Sequence, residues 1–400
     1  MKKIAIIGFG VVGSGVYEII RKNKEVLKKR AGEEIDVKRI LDIRDFSSHE
    51  EAALFTKDFN DIAEDKEIDI VVETMGGIKF AYDYTKALLQ AGKSVVTSNK
   101  ELVAAHGDEF FRIAKENNVR YLYEASVGGG IPVIRPLAND ASANEILQLC
   151  GILNGTTNYI LTKMFKENDS FESALKSAQE LGYAEKDPTA DVDGIDACRK
   201  ISILMSLATG KKIPSETVHT AGIRSITAED VTYAAAIGCT IKLIGCGFTK
   251  EGKVNASVEP MLVPLDCPLA TVEDVFNGVM VKGNMVDDLM FYGRGAGKLP
   301  TASAVMGDVV DIVRSSCYNP FFSWEEADDS AIIPYDDVTA KFFVRINENQ
   351  TEKAKEVFGE REIIRGVSDY GFVTDEISVK ALNDGIQKIG GAVKRIRLYK

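Results

Sequence analysis

"KIAIIGFGVVG", residues 3–13, is the stretch on which the fold turns. A short apolar run stops at glycine, and a helical pattern follows to about Lys29. Gly8, Gly10 and Gly13 stand as G-x-G-x-x-G between the two. Glycines there permit a tight turn and a close backbone approach to a pyrophosphate, which the free N–H groups of the following helix would hold. That context points to dinucleotide binding; a glycine-rich turn without a ligand is the plainer alternative. Two lysines before the apolar run also resemble the start of a signal peptide, but glycines interrupt it and no small-x-small cleavage site follows.

Further along, "DVKRILDI" (36–43), "DIVVET" (69–74), "SVVTS" (94–98) and "RYLYEA" (120–125) are short β-branched-rich runs. Helical stretches such as "AYDYTKALLQAG" and "GDEFFRIAKENN" separate them. Alternation of this kind predicts an α/β architecture, a Rossmann-type doubly wound parallel sheet. The acidic residue expected near the end of the second strand is Asp42 or Asp45; Arg44 between them suits a ribose 2′-phosphate, so NAD(H) and NADP(H) both remain open.

The middle region changes character. "EILQLCGIL" (145–153) and "TIKLIGCGF" (240–248) read as strands among helices at 156–167, 171–181 and 195–209, an α+β domain. "SWEEADDSAIIPYDD" reads as a linker, and residues 335–400 follow a βαββαβ order. Gly295 and Gly297, with no clear strand before them, precede a helix that suggests a return to the nucleotide domain. The division is 1–130 plus 295–325, then 131–294, then 335–400.

The net charge of −11 argues against nucleic acid and anionic membrane as partners, and no apolar run reaches the length of a membrane helix. The six cysteines are scattered, with no C-x-x-C and no zinc spacing, and read as reduced thiols in a cytoplasmic protein.

"GYAEKDPTADVDGIDACRK" (182–200) concentrates acids ahead of a lysine. It fails as an EF-hand: with Gly194 at the glycine position, Thr189 falls at position 1 and Lys200, not a glutamate, at position 12. In the helix that runs to Gly210, Lys200 shares an apolar arc with Ala197, Ile201 and Leu204, one turn after Asp196, while Arg199, Ser202 and Ser206 take the polar side. A lysine turned inward must pair, lower its pKa or line a cavity. A buried Asp196–Lys200 pair without catalytic use is the plain alternative.

These residues carry a family resemblance. "AQELGYAEKDPTADVDGIDACRK" (178–200) resembles the signature of homoserine dehydrogenases throughout. "GILNGTTNYIL" (151–161), "SNKELVA" (98–104), "EASVGGGIP" (124–132) and "GRGAGKLPTASAVMGDVV" (293–310) are similar to further blocks of that family, in order, across residues 1–325. The resemblance implies NAD(P)-dependent interconversion of L-aspartate 4-semialdehyde and L-homoserine, toward threonine, methionine and isoleucine. It implies Lys200 as proton donor and Lys100 beside nicotinamide and substrate. Gly182, Glu185, Asp191 and Asp196 would meet the substrate. Phe9, Val11, Val12, Thr74, Ser98, Lys100 and Gly297 would join Gly8, Gly10, Gly13 and Arg44 around the cofactor. Glu124, Val127, Gly129 and Ile131 match a sodium site built mostly of backbone carbonyls. A homodimer or homotetramer is implied too.

The βαββαβ end resembles an ACT regulatory domain, but "NENQTEKA" lacks the Pro-Gly turn of that family, so a structural or bridging role stands beside an effector role. Two rival functions are a phosphorylating semialdehyde dehydrogenase using Cys150, and an amino-acid sensor on a dehydrogenase scaffold.

Overall fold

The computed structural model describes residues 1–315, 322–366 and 369–399. The first sheet contains β1 (Lys2–Ile7), β2 (Ile35–Leu41), β3 (Phe55–Thr56), β4 (Ile68–Glu73), β5 (Ser94–Thr97) and β6 (Tyr121–Leu122). Its order is β3-β2-β1-β4-β5-β6, and every pairing is parallel. Ile4, Ile6, Ile70, Val72 and Val95 are buried on both faces, as a helix-covered parallel sheet requires. The direction of succession reverses between β1 and β4, so a crevice opens above the carboxyl ends of those strands. Gly8, Asp42, Thr74 and Ser98 all sit on that edge.

Two predicted elements differ here. The first helix breaks at Asn23, into Val11–Lys22 and Lys24–Ala31. "RYLYEA" gives only two strand residues before a 3₁₀ turn at Glu124–Ser126.

The second sheet is larger. It takes β7 (Ile146–Ile152), β8 (His219–Thr220), β9 (Cys239–Lys250), β10 (Lys253–Pro264), β11 (Phe276–Gly283) and β12 (Asp287–Arg294) from the middle of the chain. The C-terminal region adds β14 (Phe342–Ile346), β15 (Ile364–Arg365), β16 (Tyr370–Val373) and β18 (Lys394–Leu398), while β13 (Thr339–Ala340) and β17 (Ile377–Ser378) pair separately. With helices Thr351–Phe358 and Val379–Lys388 between its strands, this end has the expected βαββαβ order. The strands run β12-β11-β7-β9-β10-β18-β14-β16-β15, with β8 beside β10. One sheet therefore passes from the middle region into the C-terminal unit, through a parallel β10–β18 contact at Met261↔Arg397 and Leu262↔Leu398.

Besides the two-residue β8, three of these strands, β10, β11 and β12, are absent from the sequence reading. β10 carries Pro260 within it, β11 is interrupted by glycine, and β12 alternates at a half-exposed edge, so none shows a continuous β-branched run. β12 also corrects the reading of Gly295 and Gly297: a strand does precede them. After that loop, helix Lys298–Arg314 packs on helix Val11–Lys22; a Cβ at Gly15 would stand 2.9 Å from the Lys298 carbonyl oxygen. The acidic linker is packed rather than loose, with Trp324 buried and the Ile333 amide donating to Val254 O at 2.7 Å.

The cysteine reading also needs correction. Cys150 and Cys246 face each other on β7 and β9 and are joined as a disulfide. Cys198, Cys239 and Cys267 are free, and Cys317 lies outside the described residues. No helix among the described residues is long and apolar enough to cross a membrane.

Candidate active site

The G-x-G-x-x-G turn is built by contact distances. Gly8 has φ +89°. A Cβ at Gly13 would lie 2.0 Å from Gly8 O, so helix Val11–Lys22 can sit this close to β1 only with hydrogen there. Around Gly10 nothing lies within 4 Å of an added Cβ, so a ligand can approach the backbone at the helix N-terminus. Phe9 and Val12 are half-buried and Val11 is exposed at the first turn. Thr74 fastens β4 to the turn, its Oγ1 donating to Gly8 O at 2.7 Å. Ser98 lies on the same edge, its amide 3.4 Å from Glu73 O.

At the end of β2, Asp42 accepts from the Phe9 amide at 2.8 Å and from Arg44 Nε and Nη2 at 2.9 and 2.8 Å. The Arg44 guanidinium holds the Asp42 carboxyl far below the ordinary carboxylate range, against the effect of burial. Asp45 caps its own turn through the Ser47 amide instead. The glycine cradle, an acid at the second strand end and an exposed guanidinium beside it together fit a nicotinamide dinucleotide.

A cleft of about 540 Å³ opens where the two sheets meet. Lys100, Glu185, Asp191, Asp196, Lys200 and Gly297 all line it, and so does Gly182. Lys100 starts helix Lys100–Glu116, which Asn99 caps through the Leu102 amide at 3.1 Å. Lys200 projects from helix Ile195–Thr209, which is bounded by left-handed Gly194 and Gly210. That helix is buried nearly all round, so Ser202 and Ser206 are not on a solvent side as predicted; Ser202 Oγ donates to Ile213 O at 2.5 Å.

Asp196 joins the lysines. Its Oδ1 lies 2.7 Å from Lys100 Nζ and its Oδ2 lies 2.7 Å from Lys200 Nζ. Lys200 Nζ also donates to Leu153 O at 2.8 Å. An ammonium has three protons, so one remains for the cleft. The two lysines are driven apart. Burial pulls Lys200 below the ordinary lysine value, against the pull of Asp196. Lys100 is more open; burial lowers it too, but the Asp196 charge outweighs that and the net shift is upward. Asp196 is itself held far below its usual range: burial opposes, and the two ammonium groups win. Burial raises Asp191, and the Asn154 hydrogen bond offsets only part of it. Glu185 is exposed at the cleft mouth.

Several contributors escaped the sequence reading. Leu153 offers only a carbonyl, which no pattern reveals. Asn154 was legible as a helix cap, standing between a strand and "GTT", but not as a partner of carboxylates. Glu101 and Arg199, the neighbours of the two lysines, pair at 2.6 Å across the same helix contact. Cys150 offers nothing to the rival thiol mechanism, since it is bonded to Cys246.

The loop proposed for sodium behaves differently from a carboxylate site. Both Glu124 oxygens are occupied, by the amides of Val133, Ile134 and Arg135 at 2.7–2.9 Å. Only backbone carbonyls of Glu124, Val127, Gly129 and Ile131 are left to offer a cation. Gly129, at φ +54°, packs on the loop behind the cleft; a Cβ there would lie 2.5 Å from Gly295 O. No group of three or more His, Cys, Asp or Glu side chains among the described residues could hold a metal.

Comparison with known proteins fits this geometry. A family model described as "Homoserine dehydrogenase, NAD binding domain" matches residues 8–124, and one described as "Homoserine dehydrogenase" matches residues 132–310. The chain belongs to the homoserine dehydrogenase family. It is an NAD-binding oxidoreductase acting on a CH–OH group. It is 41% identical to the homoserine dehydrogenase of Bacillus subtilis over 317 residues, covering 78% of this chain and 73% of that one. The crystal structure of a homoserine dehydrogenase from Thiobacillus denitrificans superposes with a TM-score of 0.92 at 36% identity, covering 100% and 98%. A hyperthermophilic archaeal homoserine dehydrogenase in complex with NADPH gives 0.68 at 29% identity, covering 80% and 100%.

Proposed function

We propose that Lys200 is the proton-transfer group of this dehydrogenase and that Lys100 is its permanently charged companion. The observation that carries this reading is the pair of ammonium groups held by one carboxylate in the cleft, with opposite shifts in proton affinity. When bound, NAD(P)H supplies hydride to the aldehyde carbon of L-aspartate 4-semialdehyde. Negative charge then grows on the aldehyde oxygen. Lys100 stabilises that charge, and Lys200 gives up its free proton to complete the alcohol. In the reverse direction Lys200, already easier to deprotonate through burial, takes the hydroxyl proton from L-homoserine.

The roles of the acids follow from occupancy. Asp196 bonds a lysine through each oxygen and so fixes the catalytic pair, while Oδ1, which meets Lys100, keeps a second lone pair for the substrate ammonium. Glu185 at the mouth and Asp191 within the cleft suit that ammonium, and the Gly182 backbone borders the same space. Gly8, Phe9, Gly10, Val11, Val12, Gly13, Thr74, Ser98 and Gly297 border the cofactor. Arg44 favours a nucleotide with a 2′-phosphate, in keeping with the NADPH of the archaeal relative, while its tie to Asp42 leaves NAD usable.

The domain division 1–130 plus 295–325, 131–294 and 335–400 fits helix Lys298–Arg314 packing on the first layer. A carbonyl-bound sodium at the 124–131 loop would brace the wall behind Gly295. The C-terminal unit is a bridge, fused to the catalytic sheet, before it is a sensor. Cytoplasmic placement, a homodimer and a biosynthetic role toward threonine, methionine and isoleucine complete the reading.

Oxidation of NADPH and of NADH with aspartate 4-semialdehyde tests it directly. Lys200→Ala is expected to lose about 10²-fold or more in kcat with nucleotide affinity retained. Normal turnover in that variant would remove Lys200 from the chemistry.

A further inference from the structure

The geometry points to Asn154 as a positioning residue for proton transfer: its amide holds Asp191 and Asp196 together, and so sets the direction of the Lys200 ammonium. This rests on the role of Lys200 given above. Asn154 follows Leu153 at the end of β7 and is buried. Its Nδ2 donates to Asp191 Oδ1 at 2.7 Å and to Asp196 Oδ2 at 2.9 Å. Its Oδ1 accepts from the Thr157 amide at 2.9 Å and from Thr157 Oγ1 at 3.1 Å.

The Thr157 amide can only donate, so the carbonyl end of the Asn154 side chain must face it. The NH₂ end must then face the carboxylates, and its two protons match the two acceptors. One side chain thereby caps helix Gly155–Lys166 and offsets part of the repulsion between the buried Asp196 and the half-buried Asp191. The Asp196 oxygen that receives Asn154 is also the one that receives Lys200. Leu153 O and Asn154 Nδ2, on consecutive residues, thus fix the lysine from two sides. The charged groups around this point are Lys100 and Lys200, Asp196 and Asp191, with Glu101, Glu185, Asp187, Arg199 and Arg294 also lining the cleft.

Two substitutions separate this role from capping. Asn154→Asp and Asn154→Ser both retain an oxygen that can accept from the Thr157 amide, and both remove the two-proton donor. The aspartate also adds a negative charge beside Asp196, which favours the protonated form of Lys200. We expect kcat to fall about tenfold or more in both variants, with nucleotide affinity close to wild type and with a melting temperature near wild type in the serine variant and lower in the aspartate variant, where a third carboxylate is added. In the aspartate variant, the onset of L-homoserine oxidation should move to higher pH. Wild-type kcat and an unmoved pH profile in either folded variant would overturn the proposal. So would a fall in kcat that tracks a fall in melting temperature while the profile stays put. If the aspartate variant does not fold, the serine variant decides alone. Lys200→Ala, assayed in parallel, separates the two readings: full turnover there removes the lysine itself, whereas loss there with normal Asn154 variants removes only the positioning role.

Discussion

Glu73 closes β4 with a carboxyl wholly cut off from solvent. Thr97 Oγ1 donates to one of its oxygens and the Met75 amide to the other, both at 2.6 Å. Burial outweighs these bonds and pushes its pKa from near 4.5 up to about 7. The folded chain therefore binds a proton that the unfolded chain has already released between those values. Its contribution is full below about 4.5 and is lost as pH rises toward about 7. Glu73→Gln should flatten that fall, gaining on wild type as pH rises through this window. Denaturant titrations at several pH values would show it, and parallel pH curves would refute it. Such a group is invisible in "DIVVET", where the acid reads as the polar end of a strand. Lys200 was legible because a charge in an apolar arc breaks a pattern. Asn154 breaks none, since a cap at a helix start is ordinary.

The strand–turn–helix unit around Gly8 was legible because steric demand selects glycine at particular positions. Gly13→Ala puts a methyl 2.0 Å from Gly8 O, so the helix must move away from β1. A stability loss of about 1–3 kcal/mol and weaker nucleotide binding are expected, read by thermal melting and fluorescence titration. Unaltered nucleotide affinity would show that the turn does not hold the cofactor. Helix Ile195–Thr209 came out at its predicted bounds because flanking glycines mark both ends. β10, β11 and β12 did not, because proline, glycine and acids dilute their pattern, and cross-strand partners decide their state. Two neighbouring ion pairs, Lys100–Asp196 and Glu101–Arg199, lock the helices that bring the lysines together. Breaking the outer one in Arg199→Ala should raise KM for the substrate more than it lowers kcat. A change confined to kcat would place Arg199 in the chemistry instead.

At the scale of the whole molecule, the C-terminal unit is tied in both by strand pairing and by buried side chains. β18 pairs with β10, and buried Arg345 meets Asp369 at 2.6 Å and Asp230 at 2.5 Å, the latter on helix Ala228–Ala236. Arg345→Met would leave buried carboxylates without their cation, a loss of about 3–5 kcal/mol. Calorimetry of the wild type should show no separate early transition for the C-terminal unit; a distinct one would mean that the shared sheet is not cooperative. The βαββαβ order was legible in the periodicities of this region. Its fusion to the catalytic sheet was not, because pairing between strands so far apart in sequence leaves no local mark.

That fusion also orders events during translation. β10 leaves the ribosome long before β18 exists, so Met261 and Leu262 wait on an unfinished flank, open to wrong neighbours. For this chain that short flank of β10 stays uncovered until the far downstream segment arrives, and nascent copies crowded on one messenger are at risk of exchanging that segment.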